Sequence, residues 1–212
     1  MTPKPRLVEI GSSEPPRMAQ QFLVVLAGTQ PIVWRRILVP SAYSFWDLHV
    51  AIQDAMGWKD YHLHEFVLAG PPGELSLRIG LPNDKLPEAR QPLAGWEVPI
   101  ESAFGAGGNV ARYHYDFGDD WVHAVIYEGH VSPKSGRKLP ACIAGAGACP
   151  PEDCGGPPGY ERFLKIIANP YHREYREMRD WVGVSFDPAK FDAKKVKFDD
   201  PSVRWQRAFR ER

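Results

Sequence analysis

Two β-rich runs open the ordered part of the chain. Gln21-Phe22-Leu23-Val24-Val25-Leu26 and Ile32-Val33-Trp34-Arg35-Arg36-Ile37-Leu38-Val39 are separated by Gly28-Thr29-Gln30-Pro31, and the second ends at Pro40, which predicts a hairpin. The period then changes. Ser44 stands three residues before Asp47, a capping-box variant, and Phe45, Leu48, Ile52 and Ala55 or Met56 recur at helical spacing until Gly57. Strand character returns at residues 62–68 and 74–79, on either side of the turn Gly70-Pro71-Pro72-Gly73. Residues 81–111 are broken by proline and glycine and predict a long excursion with one short helix near Pro99 to Phe104.

From Arg112 the alternation resumes. Tyr113, Tyr115 and Phe117 share one face, Val122, Ala124 and Ile126 share one on the returning strand, and Gly118-Asp119 fits a two-residue turn. That turn pairs Phe117 with Asp120, Asp116 with Trp121 and His114 with His123. The core face is then aromatic and aliphatic, and the other face carries Arg112, His114, Asp116, Trp121 and His123; a shift of one residue in the loop would scramble the pairing. Residues 129–158 read as loop. Helices are predicted from Tyr160 to Ile167, stopping at Asn169-Pro170, and from His172 to Trp181, with a short turn or helix from Phe186 to Phe191. The aperiodic residues 1–18 read as a disordered leader, residues 19–198 as a single domain, and residues 199–212 as a mildly basic tail.

Composition narrows the classes. With 212 residues, 43% of them hydrophobic, the chain can bury a full core. Lysine plus arginine balances aspartate plus glutamate at 26 against 26, so no whole-chain field attracts nucleic acid or membrane and any such partner would meet a local patch. There is no signal-like apolar segment, and the run from Phe22 to Ala27 is far too short to cross a bilayer. The expectation is a cytoplasmic protein without a membrane partner. An odd count of 3 cysteines fits a reducing compartment, with thiols that are free or hold metal.

The candidate chemistry is concentrated between Tyr113 and Tyr160. The ligand-groove set is His62, His64, Asp116, Asp119, Trp121, His123, Glu152 and Asp153, with a histidine as base and a carboxylate orienting it. The structural alternative is that Asp119 caps the turn, Asp116 bonds loop amides, and Glu152 and Asp153 cap the helix that follows. Cys142, Cys149 and Cys154 with His123 form a candidate zinc set, although C-x6-C-x4-C lacks the close pair usual in zinc sites and free loop thiols are the alternative. The glycine runs around Gly145 and Gly155 lack a Walker lysine, and neither G-x-S-x-G nor H-E-x-x-H occurs. Tryptophans are mostly packing residues in this reading. Trp121, Trp34 beside Arg35-Arg36, and the tail with Trp205 and Phe209 are the candidate stacking or backbone-contact surfaces.

Several motifs in order carry a family resemblance: Pro31-Ile32-Val33-Trp34-Arg35-Arg36, Leu48-His49 with Gly57-Trp58, His62-Leu63-His64-Glu65-Phe66, Tyr115-Asp116-Phe117-Gly118-Asp119 with Trp121 and His123, and Ala148-Cys149-Pro150-Pro151-Glu152-Asp153-Cys154-Gly155-Gly156 with Gly159-Tyr160. Over residues 20–198 the chain resembles the plasmid pRiA4b ORF-3-like family. The resemblance implies an α+β fold with a mixed or antiparallel sheet, helices on one side, and an opening ββα unit of β-grasp type. It brings no biochemical activity with it. Related sequences are labelled resolvase-like passengers of insertion elements, but the serine or tyrosine constellation of a recombinase is absent here. The expected function is a binding or adaptor module, associated with mobile elements, whose partner is a nucleic acid or another protein. The rival is a small metal-dependent or hydrolytic enzyme using His123, Asp116 and Glu152.

Overall fold

A computed structural model describes residues 18–70, 76–82, 87, 91–105, 108–183 and 185–210. The expected leader, apart from Met18, and the Gly70 to Gly73 turn, apart from Gly70, lie outside the described residues. The chain runs β1 (Ala19–Leu26), β2 (Val33–Pro40), α1 (Phe45–Met56), β3 (His64–Leu68), β4 (Leu77–Gly80), β5 (Leu93–Ala94), α2 (Ile100–Ala103), β6 (Val110–Tyr115), β7 (Trp121–Val131), β8 (Ala141–Ala146), α3 (Gly156–Ile167), α4 (Tyr175–Val182) and α5 (Pro201–Arg210). The strands make one sheet in the order β5-β4-β3-β6-β7-β1-β2-β8. Its pairs are antiparallel except β4 with β5, so the fold is α+β with a mixed sheet. The opening hairpin and helix are present as expected. The strand after the helix, β3, is separated from β1 by β6 and β7, and this order does not establish a β-grasp.

Alternation along the strands turns one face of the sheet inward. Phe22, Val24 and Leu26 of β1 and Val33, Ile37 and Val39 of β2 are buried on that face. α1 covers it. Ser44 caps α1 by accepting from the Asp47 amide while the Asp47 carboxylate accepts from the Ser44 amide at 2.8 Å, and Gly57 ends the helix in the left-handed region at φ 92°. α1 is buried on nearly all sides, because α5 packs on its outer surface. Trp46 donates to the Pro201 carbonyl at 3.0 Å, and Arg204 reaches Asp54 at 2.6 Å. The mildly basic tail is therefore a docked helix, with Phe209 against Trp46 and Trp205 against Trp96.

Two further expectations change. The segment expected as loop over residues 129–158 contains the end of β7 and all of β8, which extends the sheet beyond β2. The hairpin register also moves. Tyr115 pairs with Trp121, Tyr113 with His123 and His114 with Val122, because the turn spans the five residues 116–120. Asp116 and Asp120 adopt left-handed φ values of 56° and 59°, and the Asp120 amide donates back to the Asp116 carbonyl at 2.7 Å. Trp121 and His123 consequently share the core face with Tyr113 and Tyr115.

Candidate functional site

The carboxylate-rich turn and the cysteine-rich loop fold against each other. Asp119 Oδ2 accepts from the Gly155 amide at 3.0 Å, and the Asp119 carbonyl lies so close to Gly156 that a Cβ there would overlap it. Gly156 is in the left-handed region at φ 66°, so glycine is required at this contact both for conformation and for space. Asp119 thus acts as the staple between the two loops.

That staple brings three segments to one point. His62 Nε2 lies 3.0 Å from Asp153 Oδ1 and 3.5 Å from Asp116 Oδ2, and one ligand atom from each residue falls within 4.8 Å of the others. His62 comes from the stretch ahead of β3, Asp116 from the β6–β7 turn and Asp153 from the loop before α3. Asp116 and Asp153 are both left-handed, at φ 56° and 57°. Aspartate tolerates this region because its short side chain bonds locally: Asp116 Oδ1 accepts from the Gly118 amide at 2.9 Å, which leaves the Oδ2 side toward His62.

Glu152 stands beside this group. Its Oε1 accepts from the Lys59 amide at 2.7 Å and from the Tyr115 hydroxyl at 3.1 Å, while that hydroxyl accepts from the Tyr61 amide at 3.1 Å. Burial raises the Glu152 carboxyl above the usual carboxylate range, and the two hydrogen bonds pull it back only in part. Tyr115 itself is held protonated, first by burial and then by the charge of Glu152. Glu152 and Asp153 line a cleft of about 590 Å³ between α3 and α4, together with Phe163, Ile166 and Met178. Arg162, ion-paired with Glu174, lines the same cleft.

The remaining expected residues lie elsewhere. Trp121 is 1% exposed and His123 fully buried, so neither faces the groove. His123 Nδ1 is 3.3 Å from the Tyr113 carbonyl, Nε2 has no partner among the described residues, and burial pushes the imidazole down to about 3. It packs edge-on to Trp58 as a neutral core histidine. Cys142, Cys149 and Cys154 are free thiols, and they do not join His123 in any convergent ligand group among the described residues. Burial raises all three thiols, Cys154 to about 12, against the thiolate form that zinc requires. Arg35 is also buried, donating to the carbonyls of Ala55, Trp34 and Ala146 beneath the Phe191 ring, so it offers no exposed stacking surface.

His64 belongs to a second group that sequence reasoning did not find, formed with His49 and Asp60. The His49 nitrogens meet Tyr113 Oη at 2.8 Å and Asp60 Oδ1 at 2.9 Å, and Gln53 donates to the same Tyr113 hydroxyl at 2.8 Å. Arg204 Nη1 stands 3.8 Å from Asp60 Oδ2, so a guanidinium already supplies positive charge there. The group is a core network. Its sequence signal was a histidine and a glutamine at successive turns of a helix that is otherwise apolar on every buried side.

No helix among the described residues is long and apolar enough to cross a membrane. The chain is 35% identical over 193 residues to the uncharacterized protein y4hQ of Sinorhizobium fredii (strain NBRC 101917 / NGR234), covering 89% of this chain and 95% of that protein. The crystal structure of a protein of unknown function, MM3350 from Methanosarcina mazei Go1, matches with a TM-score of 0.77 at 38% identity, covering 85% of this chain and 98% of the other. The profile of the plasmid pRiA4b ORF-3-like proteins matches residues 18–195, and the chain belongs to that family.

Proposed function

We propose that the protein is a binding module that holds a divalent cation at His62, Asp116 and Asp153, at the edge of the α3–α4 cleft. The observation that carries this reading is the convergence of one imidazole and two carboxylates, from three separate segments, to within 4.8 Å. A mixed N/O donor set of this kind suits zinc, manganese or a similar ion, and three protein ligands leave coordination positions open toward a ligand. The neighbouring cleft has the size of a small-molecule site. A nucleic acid or acidic protein partner, if it uses this surface, would engage it through the cation, because the bare carboxylates repel phosphate.

Titration calorimetry with manganese and zinc on chelator-treated protein tests the reading. One ion per chain is expected, with at least tenfold weaker binding in Asp116→Asn and His62→Gln. Asparagine keeps the left-handed turn and its bond to Gly118 while removing the charge, so unchanged affinity in both variants overturns the proposal.

Glu152 supports a second reading, hydrolysis. A carboxyl raised by burial and bonded to a tyrosine hydroxyl beside a metal-ligand set is placed to exchange a proton with water. Metal-dependent turnover of a general ester or phosphoester substrate that is lost in Glu152→Gln, with metal affinity retained, would establish it. Lack of turnover in the metal-loaded protein leaves the binding module alone.

A further inference from the structure

A second cleft, of about 500 Å³, opens between the start of α1, the segment before α2, and α5. Its lining includes Trp46, Trp96 and Trp205, together with Asp47, Glu97 and Gln206, and none of the described lining residues is a lysine, arginine or histidine. The indoles of Trp96 and Trp205 stand 6.3 Å apart with planes at 74°. The two indoles therefore make an edge-to-face pair beside the cleft, and Phe209 packs against both, at 5.5 Å from Trp96 and 5.2 Å from Trp205. Trp46 is fixed by its bond to the Pro201 carbonyl, so the third indole cannot swing out of place while α5 is docked.

An apolar ligand would match the indoles but not the charges. Asp47 and Glu97 put two carboxylates in the lining, with no basic side chain among the described lining residues. Asp47 spends Oδ2 on the α1 cap, whereas Glu97 is exposed and makes no ion pair among the described residues. The electron-rich faces of tryptophan attract cations, most effectively those that shed water easily. A primary ammonium is strongly hydrated and finds its best partner in a carboxylate alone. A methylated ammonium is larger, weakly hydrated and fits an angled indole pair.

We propose that the cleft presented by Trp96 and Trp205, with the mostly buried Trp46 and the exposed Glu97 also in its lining, binds a quaternary or methylated ammonium group. The site is independent of the cation proposed at His62, with which it shares no residue. The same head group occurs on free trimethylammonium compounds and on methylated lysine side chains, and the cleft chemistry is common to both.

Calorimetry or chemical-shift titration with choline and with its neutral isostere 3,3-dimethylbutan-1-ol decides the matter. Choline is expected to saturate one site at least tenfold more tightly than the alcohol, since the two differ in charge and not in shape. Trp96→Ala should abolish this binding, Trp96→Phe should retain part of it, and Glu97→Gln should weaken it several-fold. Trp96 is 37% exposed, so its loss leaves the fold intact, as an unchanged unfolding midpoint would confirm. Equal binding of choline and the alcohol, or choline binding that survives Trp96→Ala, overturns the proposal. A peptide bearing trimethyl-lysine, compared with its unmodified form, identifies the source: tighter binding than choline points to a protein side chain, weaker binding to a free compound, and binding of neither choline nor peptide rejects the site.

Discussion

The imidazole of His49 lies flat on that of His64, with ring centroids 3.4 Å apart and planes 9° from parallel. Both rings are buried, His49 tied to Asp60 and Tyr113, and His64 without a partner at Nδ1 among the described residues. A proton on each would place like charges face to face in a medium that cannot solvate them. His64 is accordingly held well below the ordinary histidine value, chiefly by burial and then by its neighbour.

This arrangement makes the fold sensitive to acid. His64 and His123 are neutral when folded and take up protons readily once unfolded, so the unfolded state binds more protons below the ordinary histidine value of about 6.5. The contribution of these two histidines should therefore be flat above that pH. It should fall as pH drops below about 6.5, by up to about 1.4 kcal/mol per pH unit for each histidine. For His123 the loss continues until about pH 3, where the folded imidazole titrates. Urea unfolding from pH 8 to 4.5 checks this, and His123→Phe should reduce the slope by about half. A slope unchanged in that variant would assign the acid sensitivity to other groups.

The two-loop staple gives a second expectation. Gly156→Ala should cost more than about 2 kcal/mol, because it combines left-handed backbone strain with overlap on the Asp119 carbonyl. Asp119→Ala removes one charge-assisted bond to a backbone amide and should cost about 1–2 kcal/mol. If the cation site depends on the two loops meeting, both variants should lose manganese affinity without any ligand being touched. Retained affinity in a folded Gly156→Ala would show that the loops hold their positions separately.

Local signals in the sequence were read correctly where one element decided them. The Ser44–Asp47 capping box and Gly57 bound α1, and the apolar spacing of Tyr160, Phe163, Ile166 and Ile167 marks α3. Long-range geometry was not legible. The β6–β7 register depends on Asp116 and Asp120 both entering the left-handed region, and moving one residue there carried Trp121 and His123 from the surface to the core. β8 was hidden in Ala-Cys-Ile-Ala-Gly-Ala, which has little β-propensity of its own. It is a strand because β2 offers an edge and because Gly145 lets the Phe191 ring close over it. His62, Asp116, Glu152 and Asp153 were recoverable as a cluster, since they flank two turn-rich motifs. His49 was signalled only by its place with Gln53 among the otherwise apolar buried positions of its helix, and Asp60 not at all, because its guanidinium neighbour Arg204 comes from α5, far along the chain.

Tyr115 should be more than a core aromatic. Its hydroxyl accepts from the Tyr61 amide and donates to Glu152, so Tyr115→Phe strands a part-buried amide and removes a bond to the carboxyl. A loss of about 1–3 kcal/mol is expected in chemical denaturation. Lys59→Ala, by contrast, keeps its backbone bond to Glu152 and should be close to neutral. Equal effects of the two substitutions would remove the case for a positioned Glu152.

The junction of α1 with α5 rests on a mostly buried ion pair. Arg204 Nη2 reaches Asp54 Oδ1 at 2.6 Å and Asp199 Oδ2 at 2.7 Å, and the Asp199 amide donates to Asp54 Oδ2 at 2.8 Å. The side chains of Asp54 and Arg204 are only 7% and 16% exposed. Burial raises Asp54 above the usual carboxylate range even with the guanidinium present. Arg204→Met should thus leave an uncompensated carboxylate and cost about 3–5 kcal/mol at neutral pH. Because Asp54 would then favour its protonated form still more, the gap from the wild type should narrow as pH falls and the carboxyl is neutralised. Adding Asp54→Asn to Arg204→Met should recover much of the loss for the same reason. A gap that stays constant with pH, or a double variant no better than the single one, would mean that α5 is held by the Trp46, Trp205 and Phe209 contacts alone, with the ion pair adding nothing measurable.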